Sequence, residues 1–132
     1  MKIYFSGSIR GGRQDADIYQ ELIEELKKYG DVLTEHVGSS ELKDHLTDRQ
    51  IHDRDIEWLE EADIVLAEVT TPSLGVGYEI GRAISLKKPI YCLFRERSKE
   101  SVSAMIKGSP ELTCHSYRDL SGAKSIIRDI LD

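Results

Sequence analysis

The chain has 132 residues, of which 39% are hydrophobic and 32% charged, and its formal net charge is −6. A chain of this length forms one core, so we expect residues 1–132 to be a single domain. The acidic balance argues against a nucleic-acid-binding surface, and no apolar run approaches the roughly 18 residues of a membrane span. The first residues do not have the form of a signal peptide, and the two cysteines have no metal or redox spacing, so we expect a cytoplasmic protein with neither nucleic acid nor membrane as partner.

Short apolar runs alternate with amphipathic segments along the whole chain. In chain order these predict a strand at 2–6, a helix at 15–29, a strand at 31–36, a helix at 50–62, a strand at 63–69, a helix at 78–87, a strand at 89–94, a short helix at 101–107, a strand at 112–115 and a helix at 119–131. The helix at 15–29 illustrates the pattern, because Tyr19, Leu22 and Leu26 share one face and Gly30 follows as a stop signal.

This alternation predicts the α/β fold class. We expect a three-layer sandwich in which helices cover both faces of a five-stranded parallel sheet, with a flavodoxin-like or Rossmann-like strand order. Ligands of such folds bind at the carboxyl ends of the strands, near the point where the strand order reverses. Functional residues are therefore expected at those strand ends.

A glycine-rich segment follows the first predicted strand. Residues 6–13 contain three glycines, two serines and two arginines. Backbone N–H groups of such a loop can approach a phosphate closely, and Arg adds charge-assisted hydrogen bonds. Because the spacing matches neither a Walker A loop nor GxGxxG, a flexible loop with solvated arginines is the alternative.

A second glycine-rich segment, residues 75–81, contains Glu79. Its third glycine falls one residue late for a dinucleotide-binding fingerprint, and no acidic residue ends the following strand. Glu79 is instead expected in the first turn of a helix, where the helix dipole favours the ionised carboxylate that a nucleophile requires. The alternative is an ordinary first-turn glutamate that only stabilises the helix.

Asp55 lies in an apolar stripe of the predicted helix at 50–62. Because an unpaired buried carboxylate is costly, Asp55 is either paired, by Arg54 or a backbone donor, or faces a cavity. Two carboxylates that reach one sheet edge from different helices are the arrangement that glycosidic cleavage uses. His36 ends the second predicted strand and could line the same edge, and for Tyr4 a core role and a cleft role are both open. The other histidines show no ligand spacing, so we predict no metal site.

Four stretches carry a more specific signal: YFSGSIRGGR (4–13), YGDVLTEHV (29–37), residues 51–83 with the run PSLGVGYE, and SAMI (103–106). Together they resemble the 2′-deoxynucleoside 5′-phosphate N-hydrolases of the nucleoside 2-deoxyribosyltransferase superfamily. The resemblance implies one flavodoxin-like catalytic domain that works as a homodimer without cofactor or metal. It also implies hydrolysis of a deoxynucleoside 5′-monophosphate to 2-deoxyribose 5-phosphate and free base, in the cytoplasm and, in a eukaryote, also in the nucleus.

The same resemblance implies the roles of the site residues. Glu79 attacks C1′ to give a covalent deoxyribosyl intermediate, Asp55 positions the substrate and assists the leaving base, and Tyr4 lies against the sugar. Tyr rather than Phe at this position fits a preference for 2′-deoxyribose over ribose. The other implied substrate contacts are Gly7, Ser8, Ile9, Arg10, Gly11, Gly12, Arg13, Tyr19, His36, Ser73, Gly75, Ala104 and Met105, with Ser103 lent by the partner subunit to the neighbouring phosphate site.

Three other functions compete with this hypothesis. A nucleoside 2-deoxyribosyltransferase accepts unphosphorylated nucleosides and would not need Arg10, Ser73 and Ser103 around a phosphate. A ribonucleotide (CMP-type) N-glycosidase is closer, and Tyr4 is the residue that argues against it. A non-catalytic nucleotide-binding module would leave two carboxylates beside a bound anion unexplained.

Overall fold

The computed structural model describes residues 1–9, 15–38, 45–96 and 101–132. Within these ranges, five parallel strands form one sheet in the order β2-β1-β3-β4-β5. The strands are β1 (Lys2–Ser6), β2 (Asp31–Val32), β3 (Ile64–Glu68), β4 (Ile90–Arg95) and β5 (Thr113–Tyr117). This flavodoxin-like order confirms the predicted α/β class. The direction of winding reverses at β1 and β3, which is where ligands bind in such sheets.

Helices cover both faces of the sheet. The α-helices of the described ranges are α1 (Ala16–Leu26), α2 (Asp48–Glu61), α3 (Leu74–Ser85), α4 (Ala104–Lys107) and α5 (Leu120–Leu131). Side chains alternate along β1, so Ile3 and Phe5 pack with α1 and α5 on one face, while Tyr4 packs with α2 and α3 on the other. None of the helices seen in these ranges combines the length and the apolar character that crossing a bilayer requires.

The second strand is shorter than predicted. It ends at Val32, and a 3-10 helix (Glu35–Gly38) follows it. The reason is Thr34, whose hydroxyl accepts a hydrogen bond from the Phe5 N–H (2.9 Å) and donates one to the Phe5 carbonyl (2.6 Å). Because this side chain replaces the backbone ladder, His36 lies on the 3-10 helix and not at a strand end, as had been expected.

The helix that carries Glu79 begins earlier than predicted, at Leu74 instead of residue 78. Ser73 caps it, since its Oγ accepts a hydrogen bond from the Val76 N–H at 3.2 Å. This cap compensates for the low helix propensity of the two glycines that follow. As a result, Glu79 lies in the second turn of α3 and not in the first.

Candidate active site

A cavity of about 750 Å³ lies at the carboxyl ends of β1 and β3. The loop after β1, the 3-10 helix, α2 and the start of α3 form its walls. The predicted site residues that line it are Gly7, Ile9, His36, Asp55, Ser73, Gly75 and Glu79. The fold therefore brings both predicted carboxylates to one cavity at the expected edge of the sheet.

The Glu79 carboxyl faces two side chains of β1. Tyr4 is only 1% exposed, and its hydroxyl is hydrogen-bonded to Glu79. Burial raises the pKa of Tyr4 far above its ordinary value, and the negative charges of Glu79 and Asp55 raise it further. Tyr4 is therefore a neutral hydrogen-bond donor at any working pH. Ser6 lies on the same face of β1, and its side chain also lowers the pKa of Glu79. Within the described residues, the buried Ser6 Oγ has no partner at full hydrogen-bond geometry.

The ionisation of Glu79 differs from the sequence-based expectation. Burial raises the pKa of Glu79 to about 7, and the charge of Asp55 adds to the rise, while the hydrogen bond with Tyr4 opposes it. The prediction that the helix dipole favours the ionised form of Glu79 is wrong. Glu79 lies in the second turn of α3, and the dipole effect falls off within the first turn. Near pH 7, Glu79 is therefore divided between its neutral and ionised forms.

Asp55 is paired and also faces the cavity, so both alternatives left open by the sequence hold. Its Oδ1 accepts a hydrogen bond from Arg54 Nε at 3.1 Å. The Arg54 guanidinium lies 4.7 Å from the centre of the Trp58 ring, and its Nη2 is 3.4 Å from His36 Nε2. The two predicted residues Asp55 and His36 are thus joined by an arginine that lines the cavity with them.

The loop after β1 is supported from below by Tyr19. This residue is fully buried, and its hydroxyl accepts a hydrogen bond from the Ser8 N–H at 3.1 Å. A Cβ on Gly7 would lie 2.9 Å from the Tyr19 ring, so this close approach requires glycine. Tyr19 was expected to contact substrate, but it lies beneath the loop and not among the residues that line the cavity. The predicted contacts Arg10, Gly11, Gly12 and Arg13 lie outside the described residues.

Ser103, Ala104 and Met105 do not line the Glu79 cavity. They line a second cavity of about 870 Å³, between α3 and the segment that contains α4. Ser103 is exposed and caps α4 through a hydrogen bond from the Met105 N–H to its Oγ (3.2 Å), and Met105 is 81% exposed. The two cavities share Ser73, Leu74 and Val76 at the start of α3. Within one chain, these three predicted contacts are therefore separated from Glu79 by the first turn of α3.

Comparison with known proteins identifies the family. A profile described as nucleoside 2-deoxyribosyltransferase matches residues 3–114. The chain belongs to this family. This confirms the family predicted from the sequence motifs.

Two proteins to which the chain is similar are named as N-hydrolases. The chain is 57% identical over 114 residues to the 5-hydroxymethyl-dUMP N-hydrolase of Tetraodon nigroviridis. The alignment covers 83% of this chain and 80% of the relative. It is 53% identical over 125 residues to the 5-hydroxymethyl-dUMP N-hydrolase of Esox lucius, and that alignment covers 90% of this chain and 86% of the relative. The fold also matches the CMP N-glycosidase BcmB of Clostridium botulinum with a TM-score of 0.72 at 20% identity, over 97% of this chain and 99% of that one.

Two residues that contact members of this site, Ser6 and Trp58, were not predicted from the sequence. Ser6 was read only as part of the glycine-rich loop, although it shares the alternating face of Tyr4 and could have been found by that period of two. Trp58 lies one helical turn after Arg54, and this spacing was the available signal for the contact between them. The described residues contain no group of three or more His, Cys, Asp or Glu side chains that could hold a metal ion.

Proposed function

We propose that this chain hydrolyses the N-glycosidic bond of 2′-deoxynucleoside 5′-monophosphates, giving 2-deoxyribose 5-phosphate and a free base. One observation carries the proposal: the Glu79 carboxyl is held by Tyr4 in a cavity that Asp55 also lines, beside the loop after β1. The names of the relatives from Tetraodon nigroviridis and Esox lucius support the same reaction, since 5-hydroxymethyl-dUMP is a deoxynucleoside monophosphate.

The first step forms a bond to the protein. The Glu79 carboxylate attacks C1′, and the C1′–N bond breaks, so that its electron pair leaves with the base. Asp55 positions the sugar and assists the leaving base, which takes up a proton as it departs. Covalent catalysis of this kind divides one difficult substitution into two easier ones.

The second step releases the sugar. Water attacks C1′ and loses one proton while the bond between C1′ and Glu79 breaks, which frees 2-deoxyribose 5-phosphate and restores the carboxylate. This proton balances the one that the leaving base took up in the first step. Only ionised Glu79 can start the cycle, so kcat/KM is expected to rise with pH through the range around its pKa of about 7. The Tyr4 hydroxyl remains protonated over this range and orients the carboxylate through their hydrogen bond. This chemistry uses side chains alone and requires neither metal nor cofactor.

The substrate phosphate is assigned to the loop at residues 7–13 together with Ser73 and Gly75. Gly7 and Ile9 line the cavity on one side, and Ser73 caps α3 on the other. The start of an α-helix favours an anion, because its first N–H groups have no partner within the helix. A phosphate held there would place C1′ deeper in the cavity, toward Glu79.

The protein is proposed to act as a homodimer in which Ser103 completes the phosphate site of the neighbouring subunit. The exposed Met105 and the 96% exposed Leu74 border the cavity that Ser103 lines. Large apolar side chains in such positions are typical of a partner surface, and a twofold dimer is the commonest way to cover them.

A reducing compartment is proposed for the protein, namely the cytoplasm and, in a eukaryote, also the nucleus. Cys92 and Cys114 occupy paired positions on β4 and β5, and both are free thiols. Two cysteines without metal or redox spacing in the sequence fit a reducing environment.

A substrate panel tests the function. Base release is measured for one deoxynucleoside, its 5′-monophosphate and the matching ribonucleotide, with Glu79→Ala protein as the blank. We expect the deoxynucleotide to react best, and kcat/KM to fall by roughly 100-fold or more without the phosphate, because remote binding energy is used in the transition state. Equal values for nucleoside and nucleotide would contradict the hydrolase and favour the transferase, and a preference for the ribonucleotide would favour the CMP-type N-glycosidase.

A further inference from the structure

Arg54 is held at the cavity by contacts from three directions. Arg54 lies in the second turn of α2, directly before Asp55. Adjacent residues on a helix do not face each other. The Arg54 guanidinium is nevertheless hydrogen-bonded to Asp55, and it lies 4.7 Å from the centre of the Trp58 ring. His36, on the 3-10 helix, lies 3.4 Å from Nη2 on the remaining side.

These contacts fix the direction of the arginine. The Nε–H is aimed at Asp55 Oδ1 at 3.1 Å, and only 24% of the Arg54 side chain and 22% of the Asp55 side chain are exposed. Arg donates in a rigid planar fork and also stacks on aromatic rings, so both of its properties are used here. A partly buried ion pair of this kind is screened much less by solvent than a surface pair.

The charge of Asp55 acts on the residues that would perform the chemistry. Glu79 is faced by Tyr4 and Ser6 from β1 and by Asp55 from α2. Asp55 disfavours the ionised form of Glu79, and it likewise raises the pKa of Tyr4, whereas Arg54 lowers that of Tyr4. At Tyr4, the positive charge of Arg54 therefore opposes the effect of Asp55.

We propose that Arg54 is a positioning residue of this site, which holds the Asp55 carboxylate in place and offsets its charge so that the Glu79 carboxylate can form beside it. The role of Arg54 in catalysis rests on the proposed function, whereas its electrostatic effect concerns Glu79 and Asp55 alone. Two carboxylates in one partly buried cavity repel each other, and a fixed cation next to one of them allows both to be ionised.

The test is an NMR titration of the Glu79 side-chain carboxyl, together with the pH profile of kcat/KM. Arg54→Gln removes the charge at similar length, and Arg54→Lys keeps the charge without the planar fork. Arg49→Gln is the matched control, because Arg49 is on the same helix, pairs with Asp53 at 2.9 Å and is 85% exposed. Arg54→Met, which keeps an apolar contact for Trp58, gives the same readout if Arg54→Gln does not fold.

In Arg54→Gln the midpoint of Glu79 is expected to rise by roughly half a pH unit or more, and the acidic limb of kcat/KM to move up with it. Arg54→Lys should recover most of the shift, and Arg49→Gln should leave the midpoint unchanged. An unchanged midpoint in Arg54→Gln, or an equal shift in Arg49→Gln, overturns the inference. Since the titration needs no turnover, a wild-type protein that releases no base would refute the proposed function while the titration still decides the role of Arg54.

Discussion

Glu79 is subject to two opposing requirements at the scale of a single residue. Its partial burial makes a carboxylate there a better nucleophile but also makes its ionisation costly. Tyr4 lowers this cost by donating a hydrogen bond to the carboxyl. The ionised form needed for the proposed reaction is thus available near pH 7, but at the expense of stability.

Replacing Glu79 by Gln is therefore expected to stabilise the fold at alkaline pH. The pKa of Glu79 is raised from 4.5 to about 7 on folding, so the unfolded chain releases this proton first as the pH rises. The free energy of unfolding therefore falls as the pH rises between these two values, and it stays lowered above the higher one. Glu79→Gln should gain about 1–3 kcal/mol at pH 8 and almost nothing at pH 4.

Thermal unfolding of both proteins at these two pH values measures the effect. Glu57→Gln is the control, since Glu57 is exposed on α2 and its replacement removes the same charge. A Glu79→Gln protein that is no more stable than wild type at pH 8 would contradict the assignment of a costly buried carboxylate.

The residue types of the site could be predicted better than their environments. Asp55 stood out from the sequence because a carboxylate is unusual in an apolar stripe, and Glu79 because it was expected at the start of a helix just beyond a strand end. Tyr19 could not be placed from the sequence, because a buried tyrosine that supports a loop has the same helical spacing as one that contacts a ligand. The ionisation of Glu79 depends on burial and on Asp55, which are tertiary properties.

At the scale of the elements, hydrophobic periodicity predicted which segments are helices and strands, while hydrogen-bonding side chains decided where they end. α2 begins at Asp48 because Thr47 and Gln50 form a capping box, with hydrogen bonds of 2.9 and 3.2 Å. In the same way, the Ser73 cap lets α3 begin at Leu74, earlier than predicted, and Thr34 ends β2. Such interactions involve one or two polar side chains each, so the apolar pattern does not reveal them.

The segment that contains α4 yields the prediction for this scale. If Ser103 completes the neighbouring site, mixing two inactive proteins, Glu79→Ala and Ser103→Arg, should restore activity. The mixed dimer would contain one site with both lesions and one site with neither. Under random exchange, about half of the dimers would then have one intact site.

Base release after mixing, with subunit exchange verified by mass, measures this rescue. The control pair is Glu79→Ala with Asp55→Asn, because both residues line the same cavity of one chain and every site would keep a lesion. An absence of rescue in the first pair despite full exchange, or sedimentation of the active protein as a monomer, would refute the shared site.

At the scale of the whole molecule, the sheet order explains how distant segments form one site. β1 lies next to β3, so Tyr4 and Ser6 reach the face that α2 and α3 cover, and Asp55 and Glu79 come from those two helices. The parallel sheet and this edge could be predicted from strand–helix alternation and from the general rule for ligand sites. The separation of Ser103 from Glu79 could not, because it depends on where α4 lies relative to α3.

The central claim, cleavage through a covalent bond to Glu79, is tested most directly by the stereochemistry of the reaction. Methanol is added to compete with water during turnover of a deoxynucleoside 5′-monophosphate, and the anomer of the methyl 2-deoxyriboside 5-phosphate is identified by NMR. Two successive displacements at C1′ predict retention of the configuration of the substrate, with product formation lost by about 1,000-fold or more in Glu79→Gln. An inverted product, or turnover by Glu79→Gln at nearly the wild-type rate, would contradict it.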